Sequence, residues 1–302
     1  MQLPPHGHLR PVPLASVAQV FGTHGRRVWV ALVGNLHGLF ADESGTHDQA
    51  VGTLLAGYVA PAAVWDDLWK RICRAHINAR LGEVLMEPHP HLTKPFHMTA
   101  FVTPGHEDYA HLSDGERKRL IQTLVGLIGR SRKTGFAAAV LRQEYEATLR
   151  RETKKHIRDP YFFCFQLLLQ TVLWWAARSL PRGDQIQVIV EHRRGTEMRG
   201  QAAYQEMLTR HDPHGYLMPV CVFMEKKRAP QLVTADLLAN CAGRFFKRPG
   251  LRMARSDDPV FYRLLTNKRL QHHWRYYDGP MLKEIEDRLI RDGYIVVKDR
   301  RL

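Results

Sequence analysis

The sequence predicts an α/β fold in which a mixed β-sheet is flanked by helices. The chain has 302 residues and is 44% hydrophobic, which suits one large soluble domain or a domain with an appendage. Short apolar runs split by glycine come first, and strand-like and helix-like segments alternate after them. This order is typical of a sheet with helices on its faces and active groups near its strand ends.

The first third of the chain divides into four parts. Residues 1–27 carry four prolines with scattered histidine and glycine, a composition typical of a flexible N-terminal arm. Residues 28–60 form short apolar runs that we interpret as strands joined by turns. Residues 62–81 carry apolar side chains at helical spacing and predict a helix, whereas Phe96–Val102 predicts another strand.

Two helices have clear start signals. Ser113 is a candidate N-cap, and Glu116 three residues later completes a capping box before a helix that reaches about Gly129. Asp159 and the proline after it open a nearly all-apolar helix, a pattern typical of a helix buried within a domain. Between these two helices, residues 135–149 predict a strand that leads into a polar connection.

The second half of the chain alternates between predicted strands and predicted helices. Residues 186–192 and 217–227 predict strands, because they are short apolar runs rich in β-branched and aromatic side chains. Residues 200–211 and 232–246 predict helices. The alternation places these helices against a sheet.

The main domain is predicted to span residues 28–248, followed by a basic aromatic C-terminal extension over residues 249–302. This extension contains the aromatic-basic stretch KRLQHHWRYYDGP and the charged helix MLKEIEDRLIRDG. From Arg244 to Leu302 there are 15 Lys/Arg and 8 Asp/Glu, so half of the chain's net charge of +14 lies in about a fifth of its length.

Charge and missing motifs narrow the classes of function. The chain carries 44 Lys/Arg against 30 Asp/Glu, and such an excess attracts polyanions, of which nucleic acid is the commonest. The sequence contains no Walker A loop, dinucleotide fingerprint or serine-hydrolase elbow, which argues against those three chemistries. No segment predicts a membrane span, and the four cysteines form no C-x-x-C pair, so a reducing, cytoplasmic setting is expected.

Acidic residues occur at three places where a fold normally uses apolar ones. Asp42–Glu43 follows an apolar run, Glu191 ends another, and Asp236 lies within an otherwise apolar helix. Each also has a structural interpretation: turn chemistry for the first, an ion pair with Arg193 or Arg194 for the second, and a helix ion pair or a solvent-facing position for the third.

A shared divalent cation would explain why carboxylates gather at strand ends. Several converging carboxylates repel each other, and a hard cation such as Mg²⁺ or Mn²⁺ relieves that repulsion. Two such ions can activate a water molecule and stabilise the leaving oxygen in phosphodiester cleavage. The pattern therefore predicts a metal site for one ion, or for two.

The segments that carry these acids resemble the DUF3800 family. FADESGT is similar to that family's N-terminal Asp-Glu-Ser-Gly signature, VIVEHRRG to its central strand, and VFMEKKRAPQLVTADLLAN to its closing strand, turn and helix. The resemblance runs over residues 38–247. The chain departs from the family in having Glu191 where Asp is usual, Gln231 five residues before Asp236 instead of three, and Glu225-Lys226-Lys227 in place of a serine turn.

The resemblance implies an RNase H-like fold with acidic residues converging from a first strand, a central strand and a late helix. It implies Asp42 as the main metal ligand, Glu191 as the central one and Asp236 as the late-helix ligand. Glu43 is a weaker catalytic candidate, because adjacent strand residues point to opposite faces. Lys226 and its neighbour Lys227 are expected to contact phosphate or to stabilise charge.

Further residues are candidates for ligation or for nucleic-acid contact. Glu144 and Glu146 follow a predicted strand two residues apart and would point one way, which makes Glu144 a reserve metal ligand. Aromatic rings and cations together bind single strands by stacking and by backbone contact, although solvated charge and core packing give the same pattern. The candidate nucleic-acid-binding residues are Lys226, Lys227, Arg193, Arg194, Lys268, Arg269, Trp274 and Arg275.

Two functions compete at this point. The first is a divalent-metal-dependent nuclease that hydrolyses phosphodiester bonds of DNA or RNA. The second is a nucleic-acid-binding protein with a degenerate acidic site, of the kind found in a mobile element or a phage-defence system. Salt-dependent binding without metal-dependent cleavage would separate the second from the first.

Overall fold

Six strands form one mixed sheet at the centre of the molecule. The computed structural model describes residues 35–45, 51–81, 96–157, 159–193, 195–246, 262–264 and 266–293. The strands are β1 (Leu36–Ser44), β2 (Gly52–Pro61), β3 (Thr134–Leu141), β4 (Gln185–Glu191), β5 (Val222–Met224) and β6 (Gln271–Tyr277). They lie in the order β5-β4-β1-β2-β3-β6.

Only β2 runs against its neighbours. It pairs antiparallel with β1 and with β3, whereas β1 with β4, β4 with β5 and β3 with β6 are parallel pairs. The carboxyl ends of the five other strands therefore lie at the same edge of the sheet. The predicted mixed sheet is confirmed, and the candidate ligands Asp42 and Glu191 lie at this carboxyl edge.

Helices cover both faces of the sheet, as predicted. The helices are α1 (Ala62–Leu81), α2 (Met98–Val102), α3 (Asp114–Arg130), α4 (Arg142–Thr148), α5 (Arg151–Ile157), α6 (Pro160–Ser179), α7 (Glu197–His211), α8 (Leu232–Phe246) and α9 (Gly279–Arg291). One core joins α1, α2, α3 and α8 to the first face. A second core lies on the opposite face of the sheet and is formed with α4, α5, α6, α7 and α9.

Alternation along the strands divides side chains between the two cores. On β1, Leu39 and Ala41 belong to the core beneath α6, whereas Phe40 belongs to the core beneath α8. Because successive strand residues point to opposite faces, Asp42 lies on the same face as Phe40, the face that α8 covers. The same alternation puts Ile189 and Glu191 of β4 on that face.

The capping signals correctly located two helices. The Ser113 hydroxyl accepts a hydrogen bond from the backbone N–H of Glu116, and the Glu116 carboxylate accepts one from the Ser113 N–H at 2.8 Å. The Asp159 carboxylate accepts hydrogen bonds from the first N–H groups of α6, and Pro160 occupies the first turn. As expected of an all-apolar helix, α6 is buried along most of its length between the sheet and α7.

Two predicted strand segments are helical in the structure. Phe96–Val102 was expected to be a strand, but Met98–Val102 forms α2 because Met98 and Phe101, three residues apart, are buried on one side of a helical turn. Strand β3 ends at Leu141, and α4 begins at the next residue. The strand prediction for residues 142–149 is therefore wrong, because Tyr145 packs into the core on a helix.

The last predicted strands differ in length and position from expectation. Residues 217–227 were predicted as one strand, but only Val222–Met224 is regular, at the edge of the sheet. In the segment expected as a C-terminal extension, β6 adds the other edge strand by pairing with β3, and α9 packs against α4 and β6. Glu286 of α9 is almost fully buried and accepts hydrogen bonds from the Arg150 N–H and the Thr153 hydroxyl.

Two sequence predictions lie outside the described residues. One is the arm over residues 1–27, and the other is the first predicted apolar run, over residues 28–33. Within the described ranges, no helix is both long enough and apolar enough to cross a membrane.

Candidate functional site

Three carboxylates meet one ammonium group at the carboxyl edge of the sheet. The Lys226 Nζ atom lies 3.0 Å from Asp42 Oδ2 and 3.4 Å from Asp236 Oδ2, and it donates a hydrogen bond to Glu191 Oε2. Three of these four side chains are nearly inaccessible, with exposed fractions of 4% for Lys226, 3% for Asp42 and 6% for Asp236. We call these four residues the acidic cluster.

Strand register explains why residues so distant in sequence converge. The last paired residues of β1 and β4 are Ala41 and Val190, so Asp42 and Glu191 follow on adjacent parallel strands. Glu191 pairs in turn with Met224 of β5, and Lys226 lies two residues beyond Met224, on the turn after that strand. Alternation therefore gives all three charged residues the same face of the sheet.

Helix α8 closes the acidic cluster from above. It packs against β1 and β2 and carries Asp236 near its N-terminal end. The sequence permits this because residues 232–239 are buried throughout, so α8 lies close to the sheet and Asp236 is carried inward with its apolar neighbours. An unpaired carboxylate in such a position would be costly, and Lys226 is its ionic partner.

Backbone donors fix the orientation of the two buried aspartates. Asp42 Oδ1 accepts a hydrogen bond of 2.7 Å from the Glu43 N–H, which leaves Oδ2 directed at Lys226. Asp236 Oδ2 accepts a hydrogen bond of 2.8 Å from the Met98 N–H at the start of α2. Each aspartate therefore has one partner from the main chain and one from the lysine.

Burial and the shared charge shift the pKa values of the cluster. Burial raises the pKa of Asp42 to about 7; the Lys226 ammonium opposes this rise, and the neighbouring Glu191 carboxyl adds to it. Burial likewise raises the pKa of Asp236, again against the effect of Lys226. For Lys226, burial would lower the pKa, but attraction to the three carboxylates outweighs it and raises the pKa.

Two side chains in or beside the acidic cluster are partly exposed to solvent. Glu191 is 23% exposed, and His97, whose ring Nδ1 lies 3.9 Å from Asp236 Oδ2, is 50% exposed. Glu43 points away from the cluster, as alternation requires, and its carboxylate lies 3.7 Å from Arg193 Nη1. A ligand would therefore approach along the side formed by Glu191 and His97.

The donor set suits a divalent cation, but the lysine stands where such an ion would bind. Carboxylate oxygens are the ligands that Mg²⁺ and Mn²⁺ prefer, and three carboxylates against one ammonium leave negative charge uncompensated. Asn240 lies one turn beyond Asp236 on α8, and its buried Oδ1 has no hydrogen-bond partner within the described part of the chain. In that same part, however, no group of three or more His, Cys, Asp or Glu side chains is arranged so that it could hold a metal ion while Lys226 lies among the carboxylates.

The structure does not bring Glu144 into the acidic cluster. Glu144 lies in the first turn of α4, after β3, which is two strands away from β1. Because the segment is helical, Glu144 and Glu146 do not share a direction, and Glu146 instead pairs with Lys154 at 2.6 Å. One Glu144 oxygen is buried without a hydrogen-bond partner among the described residues.

The predicted nucleic-acid-binding residues fall in different places. Lys226 lies within the acidic cluster, whereas Lys227 is 57% exposed and pairs with Glu225. Trp274 and Arg275 are successive residues of β6 and so point to opposite faces; Trp274 packs on the first core, and Arg275 is exposed. Arg194 lies outside the described residues.

A basic cavity lies near the amino ends of β3 and β6, opposite the carboxyl edge of the sheet. It has a volume of about 360 Å³ between the C-terminal half of α3 and the segment that precedes β6, and Arg130, Arg263 and Arg269 line it. Asn267 holds that segment to α3 by donating a hydrogen bond of 3.0 Å to the Gly129 carbonyl oxygen. The eight residues of β3 separate this cavity from the carboxyl edge by roughly 25 Å.

Sequence patterns did not indicate the central position of Lys226. Lys226 and Lys227 are adjacent and equally charged in sequence, and only their parity relative to Met224 distinguishes the inward one. That parity could have been used once the end of β5 was known. His97 lies within the segment that resembles the DUF3800 family, which makes it a candidate to line the site, although a lone histidine on a predicted strand is more often structural; the structure places it beside Asp236.

Comparisons with known proteins add little to this geometry. No family model matches the chain, and no curated protein matches it. A search of solved structures finds Bst-RNase HIII in complex with Mn²⁺, at 13% sequence identity and a TM-score of 0.32. The match covers 69% of this chain and 52% of that protein, so it spans about half of that protein's length.

Proposed function

We propose that this protein is a divalent-metal-dependent nuclease that hydrolyses phosphodiester bonds of nucleic acid. One observation carries the proposal: carboxylates from the first strand, a central strand and a late helix converge on one point at the carboxyl edge of the sheet. Perturbed carboxylates in such a position are characteristic of catalytic sites. The resemblance of FADESGT and ADLLAN to the DUF3800 family agrees with this interpretation.

Each residue of the cluster has a distinct role in this proposal. Asp42, Asp236 and Glu191 would hold the ion, with the Asn240 side-chain oxygen on the same side of α8 as a further donor. When bound, Mg²⁺ or Mn²⁺, as one ion or two, supplies activation of water and stabilisation of the leaving oxygen. The Glu43 N–H and the Met98 N–H keep the two aspartates oriented before substrate arrives.

The substrate class follows from charge. The net charge of +14 favours a polyanion, and the arginine-lined cavity at the amino ends of the strands offers cations for a phosphate backbone. Arg193, paired with Glu43 at the carboxyl edge, is a further cation. Lys227, Lys268 and Arg275 are exposed and add to this basic surface. DNA and RNA both satisfy these contacts.

The proposal is tested with labelled single-stranded and double-stranded DNA and RNA in the presence of Mn²⁺. The wild-type protein should cleave at least one of them, EDTA should stop the reaction, and Asp42→Asn should lower the rate by at least 100-fold. Lys268→Gln, on the exposed basic surface, serves as a control that weakens binding most at low salt but leaves the cluster intact. Equal cleavage by wild type and Asp42→Asn would refute the proposal.

A second function is favoured by a specific observation. Lys226 already neutralises part of the cluster, as it would in a protein that binds nucleic acid without cutting it. Such a protein should bind DNA or RNA with an affinity that falls steeply with salt, should not cleave them with Mn²⁺, and should retain its affinity in the Asp42→Asn variant.

A further inference from the structure

We infer that Lys226 is a resident cation of the carboxylate site, which a divalent ion must displace in order to bind. This inference rests on the proposed metal-dependent function and specifies how the site is regulated. Without a divalent ion, the ammonium group holds Asp42, Glu191 and Asp236 together; with one, the lysine side chain leaves the cluster. Lys226 is thus a determinant of metal affinity within the site.

The first argument is spatial. The Lys226 Nζ atom lies 3.0 Å and 3.4 Å from the Oδ2 atoms of Asp42 and Asp236, and it also hydrogen-bonds to Glu191. A divalent ion bound to the same oxygens would lie about 2.0–2.6 Å from each of them, which is the space that Nζ fills. The ion and the ammonium group therefore cannot occupy the cluster together.

The second argument concerns charge. One ammonium group faces three carboxylates, and a single positive charge cannot neutralise them. A doubly charged ion compensates the three carboxylates better than the lysine does.

The third argument is that the lysine can leave without unfolding the site. Lys226 lies on the turn between β5 and α8, and this turn is closed by backbone hydrogen bonds from the Arg228 and Ala229 N–H groups to the Glu225 carbonyl oxygen. The long, flexible side chain can therefore rotate toward the open side of the cluster while the turn stays in place.

The test measures Mn²⁺ binding to the full-length protein by the electron paramagnetic resonance signal of free Mn²⁺. Lys226→Met removes the charge at similar length and should bind Mn²⁺ at least tenfold more tightly than wild type. Lys226→Arg keeps the charge and should not bind more tightly. Lys227→Met, in the exposed neighbouring lysine, should have the affinity of wild type.

A second measurement on the wild-type protein does not depend on any variant folding. An amine-acylating reagent should label Lys226 slowly without metal, because only 4% of its side chain is exposed, and at least fivefold faster with saturating Mn²⁺. Lys227 is an internal standard, because it is exposed in both states and its labelling should not change.

The outcomes separate this inference from the proposed function. Equal Mn²⁺ affinity of wild type and folded Lys226→Met, or unchanged labelling of Lys226 in protein that has bound Mn²⁺, overturns the inference and leaves the metal-dependent nuclease standing. Absence of Mn²⁺ binding in both proteins overturns the inference and the proposed function together. Tighter binding by Lys226→Met alone supports the inference.

Discussion

Replacing Lys226 by methionine should destabilise the metal-free protein by about 3–5 kcal/mol, because removal of one partner from a buried ion cluster leaves uncompensated charge behind. The structure supports a value in this range for two reasons. Asp42 and Asp236 are nearly inaccessible to water, and both lose their only ionic partner of opposite charge among the described lysines and arginines. The backbone hydrogen bonds to their carboxylates remain and limit the loss.

The measurement is urea-induced unfolding at pH 7 in EDTA, followed by far-ultraviolet circular dichroism. Lys227→Met is the matched control, since it removes an exposed charge one residue away and should change the free energy of unfolding by less than about 0.5 kcal/mol. Adding Asp236→Asn to Lys226→Met should recover at least about 1 kcal/mol by removing one of the unpaired charges. A loss below about 1 kcal/mol for Lys226→Met, or no recovery in the double variant, would refute the reasoning.

Three further predictions concern stability. Glu286→Leu should lower the free energy of unfolding by about 3 kcal/mol, because it leaves the Thr153 hydroxyl and the Arg150 N–H without their acceptor. Glu286→Gln should lower it by about 1 kcal/mol, and equal losses in urea unfolding would contradict this prediction. Burial lowers the pKa of His272 to about 4, so the unfolded chain takes up a proton near pH 6.5 that the folded protein does not. The free energy of unfolding should therefore fall by up to about 3 kcal/mol as the pH decreases from 6.5 to 4. His272→Gln should flatten this fall relative to wild type, and parallel pH profiles of the two proteins would count against the prediction. Gly57→Ala should cost about 3 kcal/mol or more, because its methyl group would overlap the backbone of β1. Gly115→Ala in α3 should be neutral or stabilising, because its methyl group would meet only the Arg119 side chain at 3.7 Å, an ordinary contact. Similar unfolding midpoints for both variants would be the contrary result.

Local sequence signals identified most of the elements, because those signals act over a few residues. The capping box at Ser113 and the Asp159–Pro160 start are hydrogen-bond patterns within one turn, and both are present in the structure. Apolar periodicity likewise identified α1 and α8. It failed at Phe96–Val102 and after Leu141, where short segments take their conformation from the core into which they pack.

The sequence by itself determined which carboxylates are unusual: Asp42, Glu191 and Asp236 each interrupt an apolar segment, and such an interruption is visible without coordinates. Only the tertiary structure decided what these carboxylates meet. The order β5-β4-β1 places the turn after β5 beside the ends of the other two strands, so Lys226 enters the cluster while Lys227 stays in solvent. The physical reason is that strand pairing joins residues distant in sequence, and no local pattern encodes which strand becomes the neighbour of another.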